Sequence, residues 1–353
     1  MILNVENVAV ENRYGKMIRF RYLILSLLVV LILISGFFDF ILGPDDISIS
    51  NLIKALTSPD EVDLYLKITV WELRLPYALM AIAVGLALGL AGAEMQTILN
   101  NPLASPFTLG LSNAAAFGAA LAIVADISLP GIPGQWIISA NAFLFSILAA
   151  LLLDFLTRYS KISSSGIVLF GIALVFSFNA LVSLMQFVAS EDKLQGLVMW
   201  TMGNVTRNAT KVHITAMFIV FVVVLIWSML NSWKLTALRL GEDRAISFGI
   251  NTKKLRLTTL IRISFASATA VALVGPIGFI GLVAPHISRI LFGEDHRFYL
   301  PASALIGALI LSVASIASKN LFHGVVVPVG IVTSLVGVPF FLFIVLKFKE
   351  RVG

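Results

Sequence analysis

The sequence predicts an all-α, polytopic membrane protein with about ten transmembrane helices, and three observations lead there. Of 353 residues, 59% are hydrophobic and 12% charged, and the mean hydropathy is +0.98, too apolar a balance for a soluble domain. Apolar runs recur along the whole chain, and since a spanning helix takes about 20 mostly apolar residues, the length holds roughly ten with their loops. The formal charge of +6 fits basic loops on one membrane face better than nucleic-acid binding. The absence of cysteine excludes a disulfide framework, a thiolate metal site and a cysteine nucleophile.

Residues 1–21 form a polar N-terminal segment containing Glu6, Glu11, Arg13, Lys16, Arg19 and Arg21. The apolar run 22–42 is long enough to span and ends in Phe-rich sequence rather than small residues, so it is an uncleaved first helix and not a signal peptide. Runs bounded by charges or by Gly and Pro place the further spans at 75–97, 107–125, 136–157, 166–188, 212–231, 261–280, 281–293, 300–318 and 328–347. Residues 22–347 are thus one membrane domain, and 348–353 a short tail. Gly275-Pro276-Ile277-Gly278-Phe279 interrupts the helical pattern. Irregular backbone at membrane depth survives only inside protein or along a water-filled cavity, so a broken, partly re-entrant element is expected there.

With the N-terminus inside, 18 of the 25 basic residues fall on the inner side. The others, Lys54, Lys67, Arg74, Lys193, Arg207, Lys211 and Lys319, share the outer side with acidic residues such as Asp45, Asp60, Glu61 and Asp192. This bias places both termini in the cytoplasm and requires an even number of spans.

No G-x-x-x-x-G-K-[ST] phosphate loop is present, so any ATP hydrolysis belongs to a partner. Neither H-E-x-x-H nor G-x-S-x-G occurs, and the four histidines are scattered. No catalytic residue, metal site or cofactor is expected, and the chain does not read as an enzyme. Glu94, Asp154 and Asp39 are ionisable groups in predicted spans and functional candidates on that ground. Glu94 and Asp154 fall near cytoplasmic ends, where water is close. A proton-coupled secondary transporter would carry more such groups at mid-span.

The cytoplasmic loop, roughly 232–258, is the more informative of the two longest polar stretches. Asp243 to Phe248 reads as a short amphipathic helix with Ala245, Ile246 and Phe248 available to pack and Gly249 as its C-terminal cap. Such a knob can dock into a groove on a partner; composition alone favours a solvated connecting loop.

Four blocks, in order over residues 70–345, resemble the FecCD-type permeases that import iron-siderophore complexes, haem and cobalamin. Leu240-Gly241-Glu242-Asp243-Arg244-Ala245 with Phe248-Gly249-Ile250 is similar to that family's coupling loop. Arg74-Leu75-Pro76, then Gly92-Ala93-Glu94-Met95-Gln96 and Asn101-Pro102-Leu103-Ala104-Ser105-Pro106, resembles a second block. Gly275-Pro276 through Pro285-His286-Ile287-Ser288-Arg289 resembles a third, and Pro328-Val329-Gly330 through Gly337-Val338-Pro339 a fourth.

The resemblance implies a type II ABC importer permease fold. It also implies a pore of two permeases, alike or unlike, with two ATPase subunits, a binding protein that delivers cargo, and surrounding membrane lipid. The chelate would cross the bacterial inner membrane, with haem or cobalamin as alternative cargo and a secondary transporter as the rival class. Ser164 and Ser165 match the place of a gate, where N-capping of the fifth span explains them equally. Arg74 and Lys319 match positions that meet glutamates on the binding protein, while Tyr77, Ser315 and Val327 depart from charged residues usual in the family. Gln96, Asn101, Pro102, Gly275, Pro276, Pro285, His286, Arg289, Pro328 and Gly330 are the motif scaffold. Physically, Pro102 and Pro106 stiffen the turn before the third span, and Gly85, Gly89, Gly92 and Ala93 permit close helix approach.

Overall fold

A computed structural model describes residues 2–45, 47–159, 164–206, 209–322 and 324–349, with side chains except at 2–13, 157–159, 164–165, 344–345 and 347–349. In chain order its helices are α1 (Ile2–Ile41), α2 (Ile49–Thr57), α3 (Leu64–Ile68), α4 (Leu75–Ile98), α5 (Leu111–Val124), α6 (Ile137–Tyr159), α7 (Ser164–Val188), α8 (Glu191–Thr201), α9 (Lys211–Leu230), α10 (Ser232–Arg239), α11 (Glu242–Ser247), α12 (Thr252–Val274), α13 (Ile280–Phe292), α14 (His296–Asn320) and α15 (Val329–Lys349). Among the described residues, seven stretches are long and apolar enough to cross a membrane, within α1, α3–α4, α6, α7, α9, α12 and α14. Three shorter apolar helices, Leu111–Val124, Ile280–Phe292 and Val329–Phe343, stand at the third, eighth and tenth predicted spans.

Helices in lipid gain little by burying apolar side chains against each other, so close backbone approach takes over as the driving contact. α4 shows this most clearly: every residue from Ala83 to Leu99 is buried. A Cβ on Gly85 would lie 2.5 Å from the Gly307 carbonyl oxygen, and one on Gly89 2.2 Å from that of Ser303. On Gly92 it would lie 1.9 Å from the Gly281 oxygen. The glycine stripe read from the sequence therefore seats both α14 and α13 against α4.

Several boundaries differ from the predicted spans. The third begins at Leu111 rather than 107, because Pro102, Pro106 and the left-handed Gly110 (φ 81°) hold the chain in turns until then. Its 14 residues reach only about 21 Å, short of a bilayer core of about 30 Å. The seventh starts nine residues before the predicted 261, at Thr252, where the Asn251 side chain accepts a hydrogen bond from the Lys254 amide and caps the helix. The 232–258 loop is consequently mostly helical, built from α10, α11 and the first turns of α12. The interruption at Gly275–Phe279 is real: α12 stops at Val274 and α13 starts at Ile280. Phe279 sits at φ 68°, a left-handed conformation uncommon for a bulky side chain.

Candidate functional site

Three irregular backbone segments meet at the broken element. The Asn204 amide donates to the Val274 carbonyl at 2.7 Å and the Gly330 amide to that of Gly203 at 3.0 Å. A Cβ on Gly275 would fall 2.4 Å from the Trp200 carbonyl oxygen, and one on Gly330 2.2 Å from that of Met202. Only glycine fits these crossings, which explains Gly275 and Gly330 in the motif blocks and adds Gly203, which the sequence reading missed.

Beside this crossing lies a cavity of about 560 Å³. Phe107 from the Pro-rich turn, Asn113 of α5, Asn179 and Gln186 of α7, Pro276 and Ser334 of α15 form its walls. Asn113 donates to the Asn179 carboxamide oxygen at 2.7 Å, tying α5 to α7 across the cavity edge. Among the described residues, none of the lining side chains is charged. A wall of amides and hydroxyls over apolar surface offers hydrogen bonds to a polar guest without an electrostatic trap.

The coupling block sits at the end of the bundle that carries residues 232–258. Gly241 (φ 119°) and Gly249 (φ 77°) bracket α11 with backbone conformations that L side chains rarely adopt. Glu242 accepts from Thr252 at 3.0 Å and from Arg256 at 2.9 Å, which ties α11 to α12. The expectation that Ala245 is available to a partner is corrected: Ala245 is fully buried, whereas Leu240, Ile246 and Phe248 are exposed. Asp243 and Arg244 are exposed as well.

A polar network links this block to α4 and α14. His296 lies 2.8 Å from the Thr97 hydroxyl and 3.1 Å from that of Thr236. Arg239 of α10 bonds to Glu294 and to Asn100. Arg289 donates to the Gln96 carboxamide oxygen at 3.0 Å and to the Tyr299 hydroxyl at 3.1 Å, and Gln96 itself donates to the Leu282 carbonyl at 3.3 Å. Gln96 and Arg289, read as separate motif residues, thus bond directly. Asn101 accepts from the Leu103 amide at 2.9 Å and so shapes the turn around Pro102. His286 is half-buried, with its ring edge-on to Phe340 at 6.2 Å. Pro285 lies inside α13, and Pro328 immediately precedes α15. Outside the spans, burial pushes the Asp295 carboxyl up, but Arg297 and Arg21 outweigh it and hold it below its usual value.

At the opposite end the two docking candidates need correcting. Arg74 is buried, with both terminal nitrogens donating to backbone, to Ile41 and to Asp45, at 2.6 Å each. Lys319 is buried and donates to the Asp39 carboxylate at 2.7 Å and the Asp39 carbonyl at 2.9 Å. Both charges are buried and bond to α1 and the turn after it instead of standing at the surface. Glu94 is corrected too: it is fully buried and paired with Arg262, whose Nη2 donates at 2.7 Å. Arg262, counted on the inner side, is therefore buried within the bundle. Ser164 and Ser165 open α7, but their side chains lie outside the described residues.

Helices long and apolar enough to cross a membrane, packed around a broken helix with a cavity beside it, have the architecture of a transport permease. The chain belongs to the FecCD transport family, whose profile matches residues 27–347, and it is an ABC importer permease of that family. It is 32% identical over 329 residues to the hemin transport system permease protein HmuU of Yersinia pestis, covering 93% of this chain and 97% of that one. It is 34% identical over 333 residues to the Fe(3+)-citrate import system permease protein YfmE of Bacillus subtilis, covering 93% and 95%. A solved inward-facing ABC transporter, provisionally assigned to the metal-chelate type, matches with TM-score 0.78 and 29% identity over 93% of this chain and 99% of that one.

Proposed function

We propose that this chain forms half of the pore of an ATP-driven importer that carries a ferric chelate of the siderophore class across a bacterial inner membrane. The observation that carries this reading is the cavity of about 560 Å³ with no charged side chain on its walls among the described residues. A siderophore chelate is a large guest rich in carbonyl and hydroxyl groups, which Asn113, Asn179, Gln186 and Ser334 can meet with hydrogen bonds while binding weakly enough to let it pass. Haem is the second reading, favoured by the likeness to HmuU.

In this proposal both termini face the cytoplasm. Setting aside the buried Arg74, Arg262 and Lys319 leaves 17 basic residues inside against five outside, so the charge bias persists. Two ATPase subunits meet the exposed Leu240, Ile246 and Phe248, and α11 passes their motion to α12 through Glu242. A second permease completes the pore, and Ser164 and Ser165 remain the gate candidates. A binding protein docks at the opposite end through residues other than Arg74 and Lys319.

The test is purification of the tagged chain from gently solubilised membranes, followed by reconstitution with whatever co-purifies. ATP-dependent uptake of a ferric siderophore in preference to haem or cobalamin is the expected result. A chain that comes alone under conditions preserving known complexes, and that moves cargo only with an ion gradient, overturns the ATP-driven assignment. Ile246→Glu together with Phe248→Glu should remove the ATPase while the permease stays folded.

A further inference from the structure

At the loop end of the bundle, a second pocket of about 350 Å³ opens between the end of α9, the start of α10 and the start of α12. Trp227, Asn231, Trp233, Lys234, Asn251 and Lys254 line it, and among the described residues no carboxylate does. Its level in the bundle is defined by the spans themselves, since one ends at Leu230 and another begins at Thr252. The pocket therefore sits where hydrocarbon gives way to water, the depth that tryptophan and lysine favour.

Both tryptophans are open to the surroundings, Trp227 by 40% and Trp233 by 54%. Trp227 is fixed in place because its ring lies over the Arg262 guanidinium, 5.4 Å from the ring centre. The residue before it, Ile226, and Leu230 three residues on are exposed apolar side chains of α9, and their spacing of four places them on one face of that helix. Lys234 is half-buried and donates to the Asn231 carboxamide oxygen at 3.3 Å, and Lys254 is exposed. Two lysines, two tryptophans and two asparagines thus line a small volume next to exposed apolar side chains of the same helix α9.

We propose that this pocket holds the phosphate headgroup of an anionic phospholipid, with the lysines on the phosphate, the indoles at the glycerol level and the acyl chains along Ile226 and Leu230. A soluble phosphate compound would satisfy the lysines and leave those apolar side chains bare, whereas a lipid covers both. Because the pocket is shared by α9, α10 and α12, the bound lipid braces the helices that present α11 to its partner.

The experiment takes the full chain from vesicles of equal phosphatidylcholine and phosphatidylglycerol and counts retained lipids by native mass spectrometry. Selective retention of phosphatidylglycerol is expected. Each lysine near the membrane surface is worth about 1 kcal/mol toward an anionic lipid, so Lys234→Gln with Lys254→Gln should weaken retention roughly 30-fold. Lys253→Gln, an exposed neighbour outside the pocket, should leave it unchanged. A second measurement needs no variant: phosphatidylglycerol brominated on its acyl chains should quench tryptophan fluorescence more than brominated phosphatidylcholine does. Equal retention of the two lipids, retention indifferent to the double substitution, equal quenching, or displacement of the lipid by inorganic phosphate each overturns the proposal.

Discussion

Replacing Glu94 alone should damage this protein more than removing the whole ion pair to which it belongs. Glu94 stands on α4 and Arg262 on α12, and neither side chain has any exposed surface. Arg262 donates to Glu94 through Nε at 3.0 Å and Nη2 at 2.7 Å, and to Thr259 at 2.8 Å. Removing one partner strands the other charge where neither water nor a counter-charge reaches it, a loss of about 3–5 kcal/mol for buried pairs. Replacing both by apolar residues of similar volume avoids the desolvation penalty and is often neutral or stabilising. Glu94→Leu and Arg262→Met should each lower stability by about 3–5 kcal/mol, and the double variant should lose less than either. Equilibrium unfolding of the full chain in mixed detergent micelles measures all three, and the double-mutant cycle isolates the coupling. Singles that lose under about 1 kcal/mol, or a double equal to their sum, would refute the reasoning. Transport by a stably folded double variant then separates roles: retained uptake makes the pair structural, and lost uptake makes it part of the transport cycle.

The glycine crossings rank themselves. Gly92→Ala puts a methyl 1.9 Å from a backbone oxygen and should prevent stable folding, whereas Gly278→Ala meets nothing closer than the Phe107 ring at 3.6 Å and should be tolerated; yield of monodisperse protein on size exclusion distinguishes them. Lys319→Met should loosen α1 by stranding the Asp39 carboxylate, and Asp39→Leu on that background should restore much of the loss, read as protection of α1 from limited proteolysis. Ala245→Glu should abolish folding, because Ala245 is fully buried, while Ile246→Glu should leave the unfolding midpoint within a few degrees of the parent. The Asp295 carboxyl has a lowered folded-state pKa, so its hold on Arg21 is present above the ordinary carboxylate value near 4 and is lost as pH falls below it. Hydrogen-exchange protection across α1, taken relative to the intrinsic rate at each pH, should fall over that range and stay constant in Asp295→Asn.

Hydropathy alone determined that this chain is an all-α membrane bundle with ten apolar segments. In lipid every backbone group must bond within its own segment, and 20-residue apolar runs leave few other choices. The break at Gly275–Phe279, the stiff turn at Pro102 and Pro106, and the glycine stripe of α4 were legible for a similar reason: Pro and Gly act on the backbone locally. Partnership was not legible. Asp39 and Lys319 are 280 residues apart in sequence, and Glu94 and Arg262 are 168 apart. Position along the chain made Lys319 a docking candidate, Glu94 and Asp39 ionisable candidates within spans and Arg262 one more inner-side charge, and packing turned all of them into internal ties. The same holds for Arg74, and for Ala245, whose small size suits a surface knob as well as a buried contact. Only the tertiary structure decided which side of α11 faces outward, because a six-residue helix carries too little periodicity to declare a face. The neutral cavity, too, appeared only on folding, since its walls come from α5, α7, α8, α15 and the irregular segments at Phe107, Met202 and Pro276, which no local pattern brings together.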